Sequence, residues 1–207
     1  MHSAHRLAAV LLVALAAACG DSGGSSQGLT ADEIPIAYTP AGGFRETFPE
    51  PVLARCTEPL VAGAPDLRGL WRAVHAERMG TPVATDDRIY AYVERIEQCG
   101  NRIVDMGGGT IADARADGTE ENGVHDVSAF DFTTPLVVIA SYESGVFVLR
   151  PAGIPGIEVT RRLDADGHMI WTRPDRGGLV VTLERDGDGA GTPVNTFYPY
   201  QPNAPVP

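Results

Sequence analysis

The residues best suited to catalysis or metal binding are few and scattered. After the first eighteen positions the histidines are His75, His125 and His168, and their separations do not match metal-ligand spacing. His125 and Asp126 are adjacent, but neighbouring side chains on a strand point to opposite faces. The acidic pairs lack the closing glutamate of a calcium loop, and no Gly-x-Ser-x-Gly elbow surrounds a serine. We therefore predict no metal, no cofactor and no enzymatic activity.

The basic residues exclude sites that depend on lysine, because all sixteen are arginine. Without lysine the chain has no P-loop lysine, Schiff-base lysine or Ser-x-x-Lys nucleophile. The glycines at 107–109 are therefore predicted to form a turn and not a phosphate-binding loop. The formal charge of -11, or -12 once Arg6 is removed with a signal peptide, also argues against nucleic acid as a partner.

The first eighteen residues have the layout of an export signal. A basic N-terminus precedes an apolar run, residues 7–18, which at about 1.5 Å per residue is too short to span a hydrocarbon core of about 30 Å. The small residues before Cys19 resemble the bacterial lipobox, although Ala16 stands where that family prefers leucine. The resemblance implies lipid attachment to Cys19 and an envelope protein held on a membrane. Ordinary signal-peptide cleavage after Ala18 is the alternative.

Two cysteines remain once Cys19 carries lipid. In an oxidising envelope Cys56 and Cys99 are expected to form one disulfide, and two free thiols are the alternative. The bridge would close a loop of a little over forty residues, worth about 4 kcal/mol in the chain-entropy model. It would fasten the N-terminal arm to the folded domain.

One folded domain is predicted at residues 67–186, between two segments of unusual composition. Residues 19–66 begin as a Gly/Ser-rich leash and continue with six prolines after residue 28, which predicts an extended arm, disordered or wrapped on the domain. Residues 187–207 contain five prolines and predict a disordered or loosely draped tail. We expect a monomer.

From residue 67 onward, short runs of Val, Ile, Thr and aromatic residues alternate with Gly, Asn and Asp. Tight turns are predicted at residues 100–101, 116–119, 121–123, 143–145 and 164–167. Strands are predicted near residues 69–78, 88–98, 102–106, 110–116, 124–130, 135–143, 145–150, 157–163, 168–173 and 178–185. A meander of eight to ten strands exposes two edges unless it closes, so we predict an all-β, antiparallel up-and-down barrel.

The start of the first strand carries a recognisable motif. Gly69 and Trp71 form the Gly-x-Trp sequence of lipocalins, and residues 94–104 and 114–119 resemble uncharacterised bacterial lipocalin-like proteins. The resemblance, over residues 67–186, implies a calycin-type barrel whose floor is closed by Trp71. In that family an arginine late in the barrel packs over this tryptophan, which here is Arg173 or Arg185.

The interior of such a barrel holds either packed side chains or one small ligand. Alternation on two predicted strands gives Arg161, Trp171 and Arg173 as candidate ligand-binding residues, and an inward arginine can meet a ligand carboxylate. A carrier of a small apolar ligand then predicts an apolar cavity of several hundred Å³. A protein-interaction module of the envelope, the alternative, predicts an exposed apolar groove outside the barrel mouth.

Overall fold

A computed structural model describes residues 28–40, 43–44, 46–124 and 136–187. The predictions on the signal, Cys19, the His125–Asp126 pair and residues 188–207 lie outside these ranges. The described chain forms three 3₁₀ helices, at Ala31–Glu33, Arg88–Ala91 and Pro174–Arg176. Its eleven strands are β1 (Gly69–Arg78), β2 (Thr81–Pro82), β3 (Val93–Cys99), β4 (Arg102–Gly107), β5 (Thr110–Arg115), β6 (Asp117–Val124), β7 (Leu136–Glu143), β8 (Val146–Pro151), β9 (Val159–Leu163), β10 (Met169–Arg173) and β11 (Leu179–Arg185).

The strands form a single antiparallel sheet that curls into a nearly closed barrel. The order is β5-β4-β3-β1-β11-β10-β9-β8-β7-β6, with the short β2 beside β1. The two ends of this order, β5 and β6, are separated in the chain only by Ala116. Across that junction the Arg115 amide donates to the Glu121 carboxylate at 2.9 Å. The predicted all-β meander and its barrel are confirmed.

Most strand positions follow the sequence pattern, and the short β2 is a strand that was not predicted. The strand expected from residue 88 begins at Val93, because residues 88–91 form a 3₁₀ helix whose cap, Asp87, accepts the Ile89 amide at 2.9 Å. The turns predicted at residues 116–119 and 121–123 are wrong, because Asp117–Val124 is β6. Gly118 has a φ of 82°, and the β6–β7 register shifts on either side of residues 120–121. The glycine and asparagine signals therefore mark irregular pairing within a strand. The strand expected at residues 124–130 lies mostly outside the described ranges.

Alternate strand residues fill the barrel interior. On β11 the alternating residues Leu179, Val181 and Leu183 are each at most 5% exposed. Large side chains from other strands join this core, among them Trp71, Phe147, Met169 and Trp171. Each fully buried side chain of this size contributes about 1.5–3 kcal/mol relative to an exposed one. The interior core therefore supplies much of the driving force for closing the sheet.

The N-terminal arm covers the outer face of β3, β4 and β5. Its buried apolar residues include Phe44, Phe48 and Leu53, which pack in one cluster with outward residues such as Val104 and Met106. The same sheet region is therefore covered on both faces, by the barrel core inside and by the arm outside.

Buried polar contacts hold the arm in place. The Arg102 side chain is 1% exposed and donates to both oxygens of Asp113, at 2.8 and 2.7 Å. Its remaining acceptors are backbone oxygens of the arm, those of Ala31, Ile34 and Pro35. A buried guanidinium requires this many acceptors to offset its lost hydration.

The predicted Cys56–Cys99 disulfide is present, with 6.2 Å between the Cα atoms and a sequence separation of 43. It joins the arm to the last residue of β3. Leu29 pairs with Cys56 in an isolated bridge, so two arm segments are fastened to the sheet at this end of the barrel.

Candidate functional site

The candidate residues Arg161, Trp171 and Arg173 lie together on the inner face of β9 and β10. Trp171 is directly opposite Arg161 in the β9–β10 pairing. The guanidinium carbons of Arg161 and Arg173 are each 5.5 Å from the centre of the Trp171 ring, within cation–π range. The β9–β10 pairing therefore brings the candidates from the two strands into one group.

A second aromatic ring completes the group. The Tyr92 ring stacks on Trp171 with the ring centres 4.7 Å apart and the planes 15° from parallel. Tyr92 lies between the 3₁₀ helix at Arg88–Ala91 and β3, and its hydroxyl donates to Glu94 at 2.8 Å. Tyrosine and arginines thus already contact the Trp171 ring, which leaves mainly its edge for a ligand.

The partners of Arg161 are two inward carboxylates that sequence reasoning missed. Arg161 donates to both oxygens of Glu94, at 3.3 and 3.0 Å, and also to Asp105. The Glu94 and Arg161 side chains are 0% and 5% exposed. Strand alternation was the signal available, because Glu94 shares a face with the inward Ile96, and Asp105 shares one with Ile103. The sequence analysis expected an inward arginine to pair with a ligand carboxylate. In the structure the protein itself supplies the carboxylates that pair with Arg161.

Burial changes the acid–base behaviour of this cluster. Desolvation raises the pKa of Asp105 to about 7, although Arg161 opposes the shift, and Glu94 adds to it by repulsion. Desolvation and the neighbouring Glu94 also raise the pKa of Tyr92 well above its usual value, so this phenol stays neutral. Asp105 is thus a carboxyl group that changes charge near neutral pH.

Two polar atoms in the group are buried without a partner among the described residues, Trp171 Nε1 and Asp105 Oδ1. The first is a hydrogen-bond donor, and the second is an acceptor when the carboxyl is ionised. Leaving such an atom unpaired costs about 1–3 kcal/mol. Arg173, by contrast, is engaged at the edge of the group, where Nε and Nη2 donate to Asp175 at 2.9 and 2.7 Å.

The group lies toward one end of the barrel, which we call the mouth. Arg173 ends β10, Glu94 is the second residue of β3, and the chain ends of these antiparallel strands meet at the same side. Partly buried apolar side chains surround the core near this end, including Val83, Tyr90 and Val159. The site therefore combines charged groups with an apolar rim.

The opposite end, the floor, is closed by the Gly-x-Trp motif. Trp71 is 0% exposed, and its Nε1 donates to the Leu67 carbonyl at 2.7 Å. Of the two arginines considered, Arg185 lies over this ring, with its guanidinium carbon 4.5 Å from the centre. Gly69 has a φ of 130°, and a Cβ there would lie 3.0 Å from the Gly187 carbonyl, so the position requires glycine.

Between floor and mouth the centre of the described interior is filled by side chains. Trp71, Met169 and Leu183 are each 0% exposed, and Phe147 is 1% exposed, so no space the size of a water molecule lies against them. The apolar cavity of several hundred Å³ expected for a carrier therefore does not lie against these four side chains. A cavity of about 640 Å³ lies instead outside the barrel, lined by β7, β8 and residues 152–158.

The described histidines do not converge on one site. His75 Nε2 lies 3.1 Å from Glu77 on β1, and His168 Nδ1 lies 3.4 Å from Asp164 at the β9–β10 turn. Asp164 there already accepts the backbone amides of Asp166 and His168, each at 2.9 Å, which is ordinary turn geometry.

Among the described residues, no helix is long and apolar enough to cross a bilayer.

No protein-family model and no curated protein matches the sequence. Among solved structures, the chain is similar to zebrafish ileal bile acid-binding protein, crystallised in complex with cholic acid. The similarity covers 57% of this chain and 97% of that one, with 18% identity and a TM-score of 0.37. A similarity this low carries no argument about function, so the site is judged by its own geometry.

Proposed function

We propose that this protein is exported, anchored to an envelope membrane by lipid on Cys19, and binds a small ligand at the mouth of its barrel without catalysing a reaction. The anchor rests on the sequence alone, on the apolar run and the small residues before Cys19. With more than one acyl chain, at about 0.8 kcal/mol per buried CH₂, the attachment would be lasting.

The observation that carries the binding proposal is the pair of buried atoms without a partner among the described residues, Trp171 Nε1 and Asp105 Oδ1. A packed barrel needs no buried charges, and an apolar replacement of a buried ion pair is often no less stable. Retaining Arg161 beside two carboxylates therefore favours a binding role. Because the centre is filled, the ligand is small, with a polar head at this group and an apolar body against the rim at Val83, Tyr90 and Val159.

The test uses the full chain, expressed with its signal in a bacterial host and extracted in mild detergent. Denaturing mass spectrometry should find Cys19 as the lipidated N-terminus, and native mass spectrometry should find a small molecule bound to the folded protein. Cys19→Ser should lose the lipid but keep the ligand, whereas Trp171→Phe should lose the ligand but keep the lipid. An unmodified Cys19 would remove the anchor, and equal ligand retention by Trp171→Phe would remove the proposed site.

A protein-interaction module is the second candidate, favoured by the groove outside the barrel. Its apolar lining includes Ile139, Ile154 and Ile157, and Ile154 is 47% exposed. Apolar surface gathered in one groove is typical of protein-binding sites. A photo-crosslinker at Ile154 should then capture one envelope protein specifically, compared with a crosslinker at the exposed Glu184 of β11. Identical capture patterns at both positions would count against this candidate.

A further inference from the structure

The groove outside the barrel, with its volume of about 640 Å³, is apolar surface that no described segment covers. Ile154 is 47% exposed in its lining, and Val137, at the neighbouring start of β7, is 43% exposed. The polar rim is already paired, because Arg150 donates to Glu143 at 2.5 Å and to Glu158 at 2.7 Å. An occupant of this groove therefore needs apolar side chains and no charged group.

The tail that follows the barrel has the composition such an occupant needs. Residues 193–207 contain no Asp, Glu, Arg, Lys or His, so they can enter an apolar groove without burying a charged side chain. Within them, residues 197–200 are three aromatic residues and one proline. Proline restricts the backbone before binding, which lowers the entropy cost of holding the segment in an extended form. By contrast, residues 20–27 of the N-terminal leash contain no apolar side chain.

The tail is also long enough to reach the groove from the point where it leaves the barrel. Its first residue, Gly187, lies at the floor, where its carbonyl accepts the Leu70 amide at 3.4 Å. The groove lies at the mouth, because residues 152–158 lead from β8 into the start of β9, which pairs with the end of β10. From β11 to β8 the path crosses about 14 Å of strand spacings and about 23 Å of strand length, or about 27 Å in a straight line. The segment from residue 187 to residue 197 can extend to about 33 Å.

Covalent attachment makes even a weak contact effective. A tether of this kind holds the aromatic residues near the groove at an effective concentration on the order of 1 mM. A contact with a dissociation constant of about 1 mM would then be occupied half of the time. A few buried apolar side chains are enough for an affinity of that size.

We propose that the tail binds back onto its own barrel, with the aromatic residues at 197–200 in the groove formed by β7, β8 and residues 152–158. The tail then acts as an autoinhibitory segment, because any protein that uses this apolar surface must displace it. The inference goes beyond the proposed function, since it requires neither a ligand at the mouth nor lipid on Cys19.

The test uses the full chain with the photo-crosslinking residue benzoylphenylalanine in place of Tyr198, which keeps an aromatic ring at that position. After irradiation of dilute protein, peptide mass spectrometry should find residue 198 joined to residues 150–158, and the product should keep the mass of one chain. A product with the mass of two chains would show that a second copy fills the groove. A cross-link to another part of the barrel, or none, would show that the tail does not bind there. Either of these results would overturn the proposal.

Two exposed isoleucines provide a matched pair of variants for the same experiment. Ile154→Glu places a carboxylate in the groove, and the cross-link yield should fall about tenfold or more, because a docked aromatic ring would remove water from that charge. Ile36→Glu makes the same change on the arm, where the side chain is 41% exposed, and should keep the full yield. Both positions are exposed, so both proteins should fold, which circular dichroism checks. Equal yields in the two variants would refute the assignment of the groove.

Discussion

Asp105 should make the protein less stable as the pH rises from 5 to 8. Burial raises its pKa from the usual 3.8 to about 7 in the folded state. Between these values the folded protein holds a proton that the unfolded chain has lost, so stability falls with increasing pH. The contribution is fully present below pH 3.8 and is lost as the pH passes through about 7.

The magnitude follows from the gap between the two pKa values. From pH 5 to pH 7 the folded carboxyl remains protonated over about two pH units, worth about 1.4 kcal/mol each, so about 3 kcal/mol is lost. The Asp105 side chain is 15% exposed, which reduces this figure toward about 2 kcal/mol. The charged groups that face it are Glu94, Arg161 and Arg173.

Urea unfolding at pH 5, 6, 7 and 8 measures this effect directly. Wild type should lose about 2–3 kcal/mol across the series, and Asp105→Asn should lose less by that amount. The variant is the necessary control, because burial also raises the pKa of Glu97, which contributes with the same sign. Parallel stability curves for wild type and Asp105→Asn would refute the reasoning, since Asp105 would then titrate alike in both states.

Three further predictions concern stability, each measured by urea unfolding. Replacing Cys56 and Cys99 by serine should cost about 4 kcal/mol, and reducing the wild type should cost the same, because the bridge closes a long loop. Arg102→Ala should cost about 3–5 kcal/mol, because it leaves a buried carboxylate uncompensated. Gly107→Ala should cost about 1–3 kcal/mol, because the new Cβ would lie 2.4 Å from the Tyr92 hydroxyl.

Each of these three stability predictions has a result that would contradict it. Unchanged stability after reduction would show that the bridge adds nothing. An Arg102→Ala protein as stable as wild type would mean that the arm is not held by this side chain. For Gly107→Ala, the control is the same substitution in a Tyr92→Phe background, where the clash with the hydroxyl is absent. An equal cost in both backgrounds would rule out the clash.

Local pattern was enough to predict most of the fold. β1 occupies residues 69–78 as predicted, and the two-residue connection at 100–101 joins β3 to β4. These succeed because strand alternation and turn chemistry act between residues close in the chain. The prediction failed at residues 88–91 and 117–124, where an aspartate cap and irregular β6–β7 pairing outweigh the strand and turn signals.

The candidate site was predicted in part for the same reason. Alternation placed Trp171 and Arg173 on one face of β10 and gave Arg161 as a lining residue of β9, and the β9–β10 pairing relates the two sets. Glu94 and Asp105 were missed because they are 67 and 56 residues from Arg161 in the chain, and only the curled sheet brings them together. Residues this far apart in the chain leave no local pattern that would predict their contact.

By itself, then, the sequence determined most of the strands, the glycine and tryptophan of the floor, and the cysteines available to pair. The tertiary structure decided what fills the barrel and which carboxylates meet Arg161. It also decided that Arg185 covers Trp71. The physical reason is that hydrogen-bonded strands fix which way each side chain points, whereas packing across a closed barrel depends on the shapes and charges of all the strands at once.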